Sequence, residues 1–134
     1  RATFNGIWDM GRGFQLSGLF FFRNGVDSQS ISGGDFRLQG RGSNRLRKDG
    51  TIVPRNNFKE KAIHRLDMRL QRRTGLGVGN ASLDAMLEVF NALNHENYGR
   101  YVTAEVASNY GTPQQNTNIA YLPRVVQLGF KLSF

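Results

Sequence analysis

Two carboxylates, Asp84 and Glu88, stand four positions apart in a stretch that alternates apolar and polar residues. On a strand that spacing puts both on one face, where they could act as acid and base about a substrate. The same spacing better suits carboxylates that line a water-filled lumen and pair with neighbours such as Arg65 or Arg69. His64 and His95 fall at opposite strand ends, with no third ligand at metal spacing. Asn44 to Gly50 ends in Asp49-Gly50, but Arg45, Arg47 and Lys48 stand where a calcium loop requires acids. Gly75-Leu76-Gly77-Val78-Gly79 lacks the strand-then-helix setting of a phosphate-binding loop and reads as a turn. The chain has no cysteine, which excludes thiolate metal sites and a disulfide framework. These residues predict no enzyme, no cofactor and no metal.

The elements that must carry these side chains are strands, because period-2 alternation recurs five times along the chain. In the first, Arg1 to Met10, the residues Ala2, Phe4, Gly6 and Trp8 alternate with Thr3, Asn5 and Asp9, and Gly11-Arg12-Gly13 makes a tight turn. The second, Phe14 to Arg23, has a membrane-crossing length and carries Phe20 and Phe22 on one face. From Asn24 to Lys61 the periodicity dissolves into Gly, Ser, Asn and Arg, and a long surface loop is expected. The third strand, Ala62 to Arg73, sets Leu66, Met68 and Leu70 against Arg65, Asp67, Arg69 and Gln71. A turn over Gly75 to Asn80 leads to the fourth, Ala81 to Phe90, with Leu83, Ala85, Leu87 and Val89 opposed to Ser82, Asp84 and Glu88. After an irregular stretch, Asn91 to Ala120, the last strand runs from Tyr121 to Phe134, with Val126, Leu128, Phe130, Leu132 and Phe134 on one face. Pro123 sits near its start, where a missing N–H is tolerated.

Short and long connections therefore alternate, the rhythm of bacterial outer-membrane barrels with short periplasmic turns and long extracellular loops. The expected fold is all-β: five antiparallel strands of a large transmembrane barrel, with the apolar set Phe4, Trp8, Phe20, Phe22, Leu66, Met68, Leu70, Leu83, Leu87, Leu128, Phe130 and Leu132 on one face. The polar face, with Arg65, Asp67, Arg69, Asp84 and Glu88, would then line the lumen. If the chain ends at the periplasmic side, the two long connections lie outside the cell. Five strands with two free edges cannot close in lipid, so the segment needs the rest of a barrel. The chain opens on Arg1 without Met or a leader segment, and we read residues 1–134 as one truncated, partial domain.

The formal net charge of +8 and pI of about 10.6 would by themselves point to nucleic acid or anionic lipid. The excess is local, however, and includes the extracellular basic loop residues Arg41, Arg45, Arg47, Lys48 and Arg55. No aromatic interleaves Arg37 to Lys48 as a stacking platform would require, so nucleic acid is not the expected partner; lipopolysaccharide phosphate or plain solvation fits better. The longest apolar run, Gly18 to Phe22, falls far short of the roughly 18 to 20 residues a spanning helix needs. Trp8, Phe20, Phe22, Tyr98 and Tyr101 are candidates for the aromatic girdles of a barrel.

The last eight residues, Gln127-Leu128-Gly129-Phe130-Lys131-Leu132-Ser133-Phe134, resemble the terminal assembly signal of outer-membrane barrels at Gln127, Gly129, Leu132 and Phe134. Arg55-Asn56-Asn57-Phe58, His64-Arg65-Leu66-Asp67-Met68-Arg69-Leu70, Glu88-Val89-Phe90-Asn91-Ala92-Leu93-Asn94-His95-Glu96-Asn97-Tyr98 and Pro123-Arg124-Val125-Val126 resemble, in order, the last strands of TonB-dependent receptors, nearest the Oar-like branch with its carboxypeptidase-regulatory-like domain. The resemblance implies a 22-stranded plugged barrel in the cell outer membrane that takes up a scarce solute. It also implies outer-membrane lipid, lipopolysaccharide, the barrel-assembly machinery, a plug domain and TonB as partners. A passive porin or adhesin barrel would lack a plug and a TonB box upstream. A soluble basic β-protein binding nucleic acid would show a steep salt dependence instead.

Overall fold

The structure, a computed structural model, describes residues 1–40, 45–114 and 122–134. Among them there is no helix, and the chain is all-β with antiparallel sheets. They divide into two units, one of residues 1–23, 63–97 and 122–134 and one of residues 24–62 and 98–114 outside the gaps just given.

The first unit is a five-stranded sheet of β1 (Ala2–Gly11), β2 (Phe14–Arg23), β5 (Ile63–Gly75), β6 (Ser82–Phe90) and β7 (Val125–Ser133), each paired antiparallel with the next. The strand register turns the alternation of the sequence into two faces. Phe4 lies opposite Phe20 and Phe20 opposite Leu66; Trp8, Leu16, Leu70, Leu87 and Leu128 form one continuous row. Leu83 pairs with Leu132 and Ala85 with Phe130, so the whole predicted apolar set emerges on one side. Direct cross-strand neighbours of this kind are the unit of sheet stability. No second layer covers the set: Trp8 is 65% and Phe130 72% exposed, and Ile63 is the buried apolar residue of this unit among the described residues.

Boundaries shift where backbone chemistry overrides the pattern. β7 begins at Val125 rather than Tyr121, because Pro123 offers no N–H and the Arg124 N–H donates to the Asn94 side chain (3.0 Å); Tyr121 lies outside the described residues. At the other end pairing stops at Ser133, leaving Phe134 beyond the last rung and 99% exposed. β5 runs two residues past Arg73, to Gly75.

The second unit corrects the expectation of an irregular loop from Asn24 to Lys61. β3 (Asp27–Ser28) pairs with β4 (Phe58–Lys59), and Ile31 forms a parallel bridge to Ala104. Val53, Tyr101 and Val102 are buried in it. Two-residue strands are too short to show a period, so the sequence reads as featureless where the chain is in fact packed.

The β1–β2 turn depends on glycine. A register shift between Asp9 and Gly11 is followed by positive φ at Gly11, Arg12 and Gly13, and the Gly13 carbonyl accepts the Arg73 N–H at 2.8 Å. A Cβ on Gly13 would run into the Arg73 carbonyl. Gly13→Ala should therefore lower the unfolding free energy of the sheet by about 1 to 3 kcal/mol. Urea titration in detergent micelles measures it, and an unchanged midpoint would refute the close approach.

Candidate functional site

Most charged residues of β5 and β6 converge on the face opposite the apolar set; Arg72 is the exception, in register with Phe14 and Ala85 on the apolar side, its guanidinium 5.0 Å from the Phe14 ring centroid. Arg69 lies opposite Glu88 and Arg73 opposite Asp84, so each carboxylate meets a guanidinium across one rung. Arg73 donates to both Asp84 oxygens, at 2.7 and 2.9 Å, in the planar fork geometry that makes such pairs strong. The Asp84 side chain is 3% exposed under an Arg73 side chain that is 62% exposed. The Arg69–Glu88 contact is looser, a single approach of 3.4 Å. Arg65 donates from Nε to Asp67 along its own strand at 2.7 Å and rests 5.9 Å from the Phe90 ring centroid.

All five polar residues singled out from the sequence, Arg65, Asp67, Arg69, Asp84 and Glu88, thus share one face. The pairing differs from expectation at Asp84, which takes Arg73, because the six-residue turn 76–81 sets that register. With both carboxylates held by arginines, Asp84 and Glu88 do not address a common substrate position.

Three asparagines finish the long-connection end of this face, and sequence reasoning gave them no role. Asn91 adopts positive φ, where asparagine is among the few tolerated non-glycine residues. Its buried amide donates to the carbonyls of His95 and Leu122, both at 3.0 Å, and accepts the His95 N–H at 3.1 Å. Asn94 accepts the Arg124 N–H. Asn97 accepts the His64 N–H and donates to the His64 carbonyl, both at 2.9 Å, which satisfies β5 where β6 has already ended. This reversal corrects the placement of His64 and His95 at opposite strand ends: their rings stack with centroids 3.6 Å apart. Among the described residues no three His, Cys, Asp or Glu side chains gather as metal ligands.

The residues resembling an assembly signal separate onto both faces. Gln127 lies opposite Glu88, Gly129 opposite Met86, and Leu132 opposite Leu83 on the apolar side. A Cβ on Gly129 would meet Met86 at 3.5 Å, ordinary contact, so packing alone does not require glycine there.

In the second unit, two of the five basic loop residues point inward. Arg45 donates to the Val53 carbonyl (2.9 Å) and Arg47 donates to both Glu105 oxygens (2.7 and 2.8 Å). Lys48 and Arg55 are exposed, and Arg41 lies outside the described residues. The hydrogen bond from Arg47 holds the Glu105 carboxyl below the usual carboxylate range, and the Thr51 hydroxyl and N–H do the same for Asp49. Tyr101, a girdle candidate, is instead buried against Phe58 at 5.5 Å between ring centroids.

Comparison with protein-family profiles, curated proteins and solved structures gives no match for this chain.

Two outcomes follow from these contacts. Asn91→Ala removes the side-chain bonds to the His95 N–H and the Leu122 carbonyl and one of the two bonds to the His95 carbonyl, which keeps Asn97, and it puts alanine at positive φ, so unfolding should become easier by about 2 kcal/mol. Asn91→Gly, which removes only the backbone strain of alanine, should cost less; equal losses in urea titration would contradict this account. For Glu105 and Asp49, folded values below the unfolded ones mean that their contribution is present above the ordinary carboxylate range and lost as pH falls through the lowered values. Hydrogen exchange in residues 45–53 and 101–106, followed from about pH 7 to about pH 2, should show protection that holds in mild acid and fails only below that range. Loss already in mild acid would count against the ion pair.

Proposed function

We propose that this chain is the carboxyl-terminal part of the barrel domain of a TonB-dependent outer-membrane receptor, supplying five strands of a 22-stranded plugged barrel for uptake of a scarce solute. The observation that carries the reading is the uncovered apolar face of a meander whose other face is ion-paired and whose edge strands, β1 and β7, are each paired on one side. Strands of nine to 13 residues suit a tilted crossing. In lipid an open edge leaves backbone groups unsatisfied at several kcal/mol each, so further strands must flank both.

In this reading the row Trp8, Leu16, Leu70, Leu87 and Leu128 faces acyl chains. Phe4, Phe20 and Phe22 toward one end, and Phe14 and Phe130 toward the other, stand at the interfacial levels that barrels fill with aromatics. Arg65, Asp67, Arg69, Asp84 and Glu88 face water in the lumen. The short turns are periplasmic and the long connections extracellular, with the exposed Lys48 and Arg55 toward lipopolysaccharide phosphate. Gln127, Gly129, Leu132 and Phe134 address the barrel-assembly machinery, and the chain has no catalytic step of its own. TonB and the plug act through the remainder of the receptor.

The test uses the full-length protein in cells. Leu87→Arg sets a charge against mid-bilayer hydrocarbon, at about 2 to 4 kcal/mol, whereas Met86→Arg on the neighbouring position of the opposite face meets water. Heat-modifiable gel migration should show insertion strongly reduced for Leu87→Arg and near normal for Met86→Arg. Equal insertion of the two would overturn the lipid-facing assignment. Solute uptake that survives collapse of the proton-motive force would place the protein with passive porins instead.

A further inference from the structure

The ion-paired face is not uniformly polar. Ile7 is 72% exposed on it, and Leu19 and Phe90 emerge on the same side, as the pairings Ile7–Ser17, Leu19–Asp67 and Phe90–Val125 require. These three border a depression of about 280 Å³ that also takes in Ser17, Asp67, Arg69 and Glu88, the Asp67 carboxylate being held by Arg65 and by the Asn91 N–H. Burial offers no explanation for Ile7 and Leu19, which are both exposed, while Phe90 is half-buried with the Arg65 guanidinium 5.9 Å from its ring centroid.

The two cross-strand ion pairs differ in the same respect. Arg73 makes two short bonds to Asp84, whereas Arg69 approaches one Glu88 oxygen at 3.4 Å and otherwise directs a guanidinium nitrogen at the Met86 thioether, a weak acceptor. A guanidinium with five donors is poorly satisfied by that set. Glu88 is likewise left with acceptor capacity, its side chain 22% exposed.

We propose that this depression is a binding site for a zwitterion with an apolar body, of the class of a free α-amino acid with a large apolar side chain. The ligand's carboxylate takes Arg69, its ammonium takes Glu88, and its side chain covers Ile7, Leu19 and Phe90. The charge arrangement selects the class: a simple anion at Arg69 would also meet the Glu88 carboxylate, and a simple cation at Glu88 would meet Arg69. A zwitterion meets each with the opposite sign. The inference rests on the reading above in one respect, that this face is open to water rather than lipid.

The experiment uses the full-length protein in detergent micelles, with L-phenylalanine, phenylacetate and phenethylamine as probes in saturation-transfer NMR. Phenylalanine should bind, and the two singly charged analogues should bind about tenfold more weakly or not at all. Arg69→Gln and Glu88→Gln should each weaken phenylalanine about tenfold. Ile7→Ser should weaken it through lost contact area, while Ser133→Ala, outside the depression, should leave it unchanged. Normal heat-modifiable migration of each variant separates lost binding from failed folding. Equal affinity for phenylalanine and phenylacetate would overturn the zwitterion, and equal weakening by Ser133→Ala would overturn the location. No binding, including a depression blocked by the plug, would overturn the site. If Leu87→Arg fails to insert while Met86→Arg inserts normally, and phenylalanine does not bind the unaltered protein, this inference fails while the barrel reading stands.

Discussion

β5 pairs with β2 on one side and β6 on the other, and that double register determines where every charge of the sheet emerges. A slip of one residue against either neighbour would carry Arg65, Asp67, Arg69 and Arg73 to the side of Trp8 and Leu87, because side chains alternate with a period of two. The ion pairs oppose such a slip: the Arg73 fork on Asp84 forms only when those residues stand on one rung. The apolar set opposes it equally, since Leu66, Met68 and Leu70 would be turned into the polar surface. Backbone pairing, charge and hydrophobicity thus favour one register.

That register ends where β6 does, and the way it ends links the sheet to its connections. β5 continues for five residues, Ile63 to Asp67, beyond its last pairing with β6. The chain after Phe90 then doubles back through Asn91 and presents side-chain amides in place of a strand edge, with Asn97 bonding both backbone groups of His64. Asparagine suits both tasks, because its amide repeats the peptide's donor and acceptor and its backbone tolerates positive φ.

The division between what the sequence disclosed and what it did not follows from range. Five strands and both faces were legible because alternation is local and repeats over nine or more residues in each strand. Partner choice was less legible: Asp84 was matched to the wrong arginines, since its rung depends on the length of the 76–81 turn, which alternation does not encode. The stacking of His64 on His95 depends on a chain reversal whose local signal was the asparagine at 91. The burial of Tyr101 had no local signal, because Phe58, on which its ring packs, is distant in sequence. The loose Arg69 pair appears only once distances are known.

The second unit carries a consequence for how this protein can change over time. Its two connections are joined by the Ile31–Ala104 bridge, by the Arg47 fork on Glu105 and by Phe58 packed on Tyr101, each link having one member in each connection. Connections between strands are usually the parts of a fold that tolerate exchange most freely. Here a connection grafted alone from a relative would arrive without its counterparts and strand the buried Tyr101 or the Glu105 carboxylate. The unit of inheritance is the pair, so diversification of one connection is confined to substitutions that the other can match, and recombination within this region succeeds only when both are transferred together.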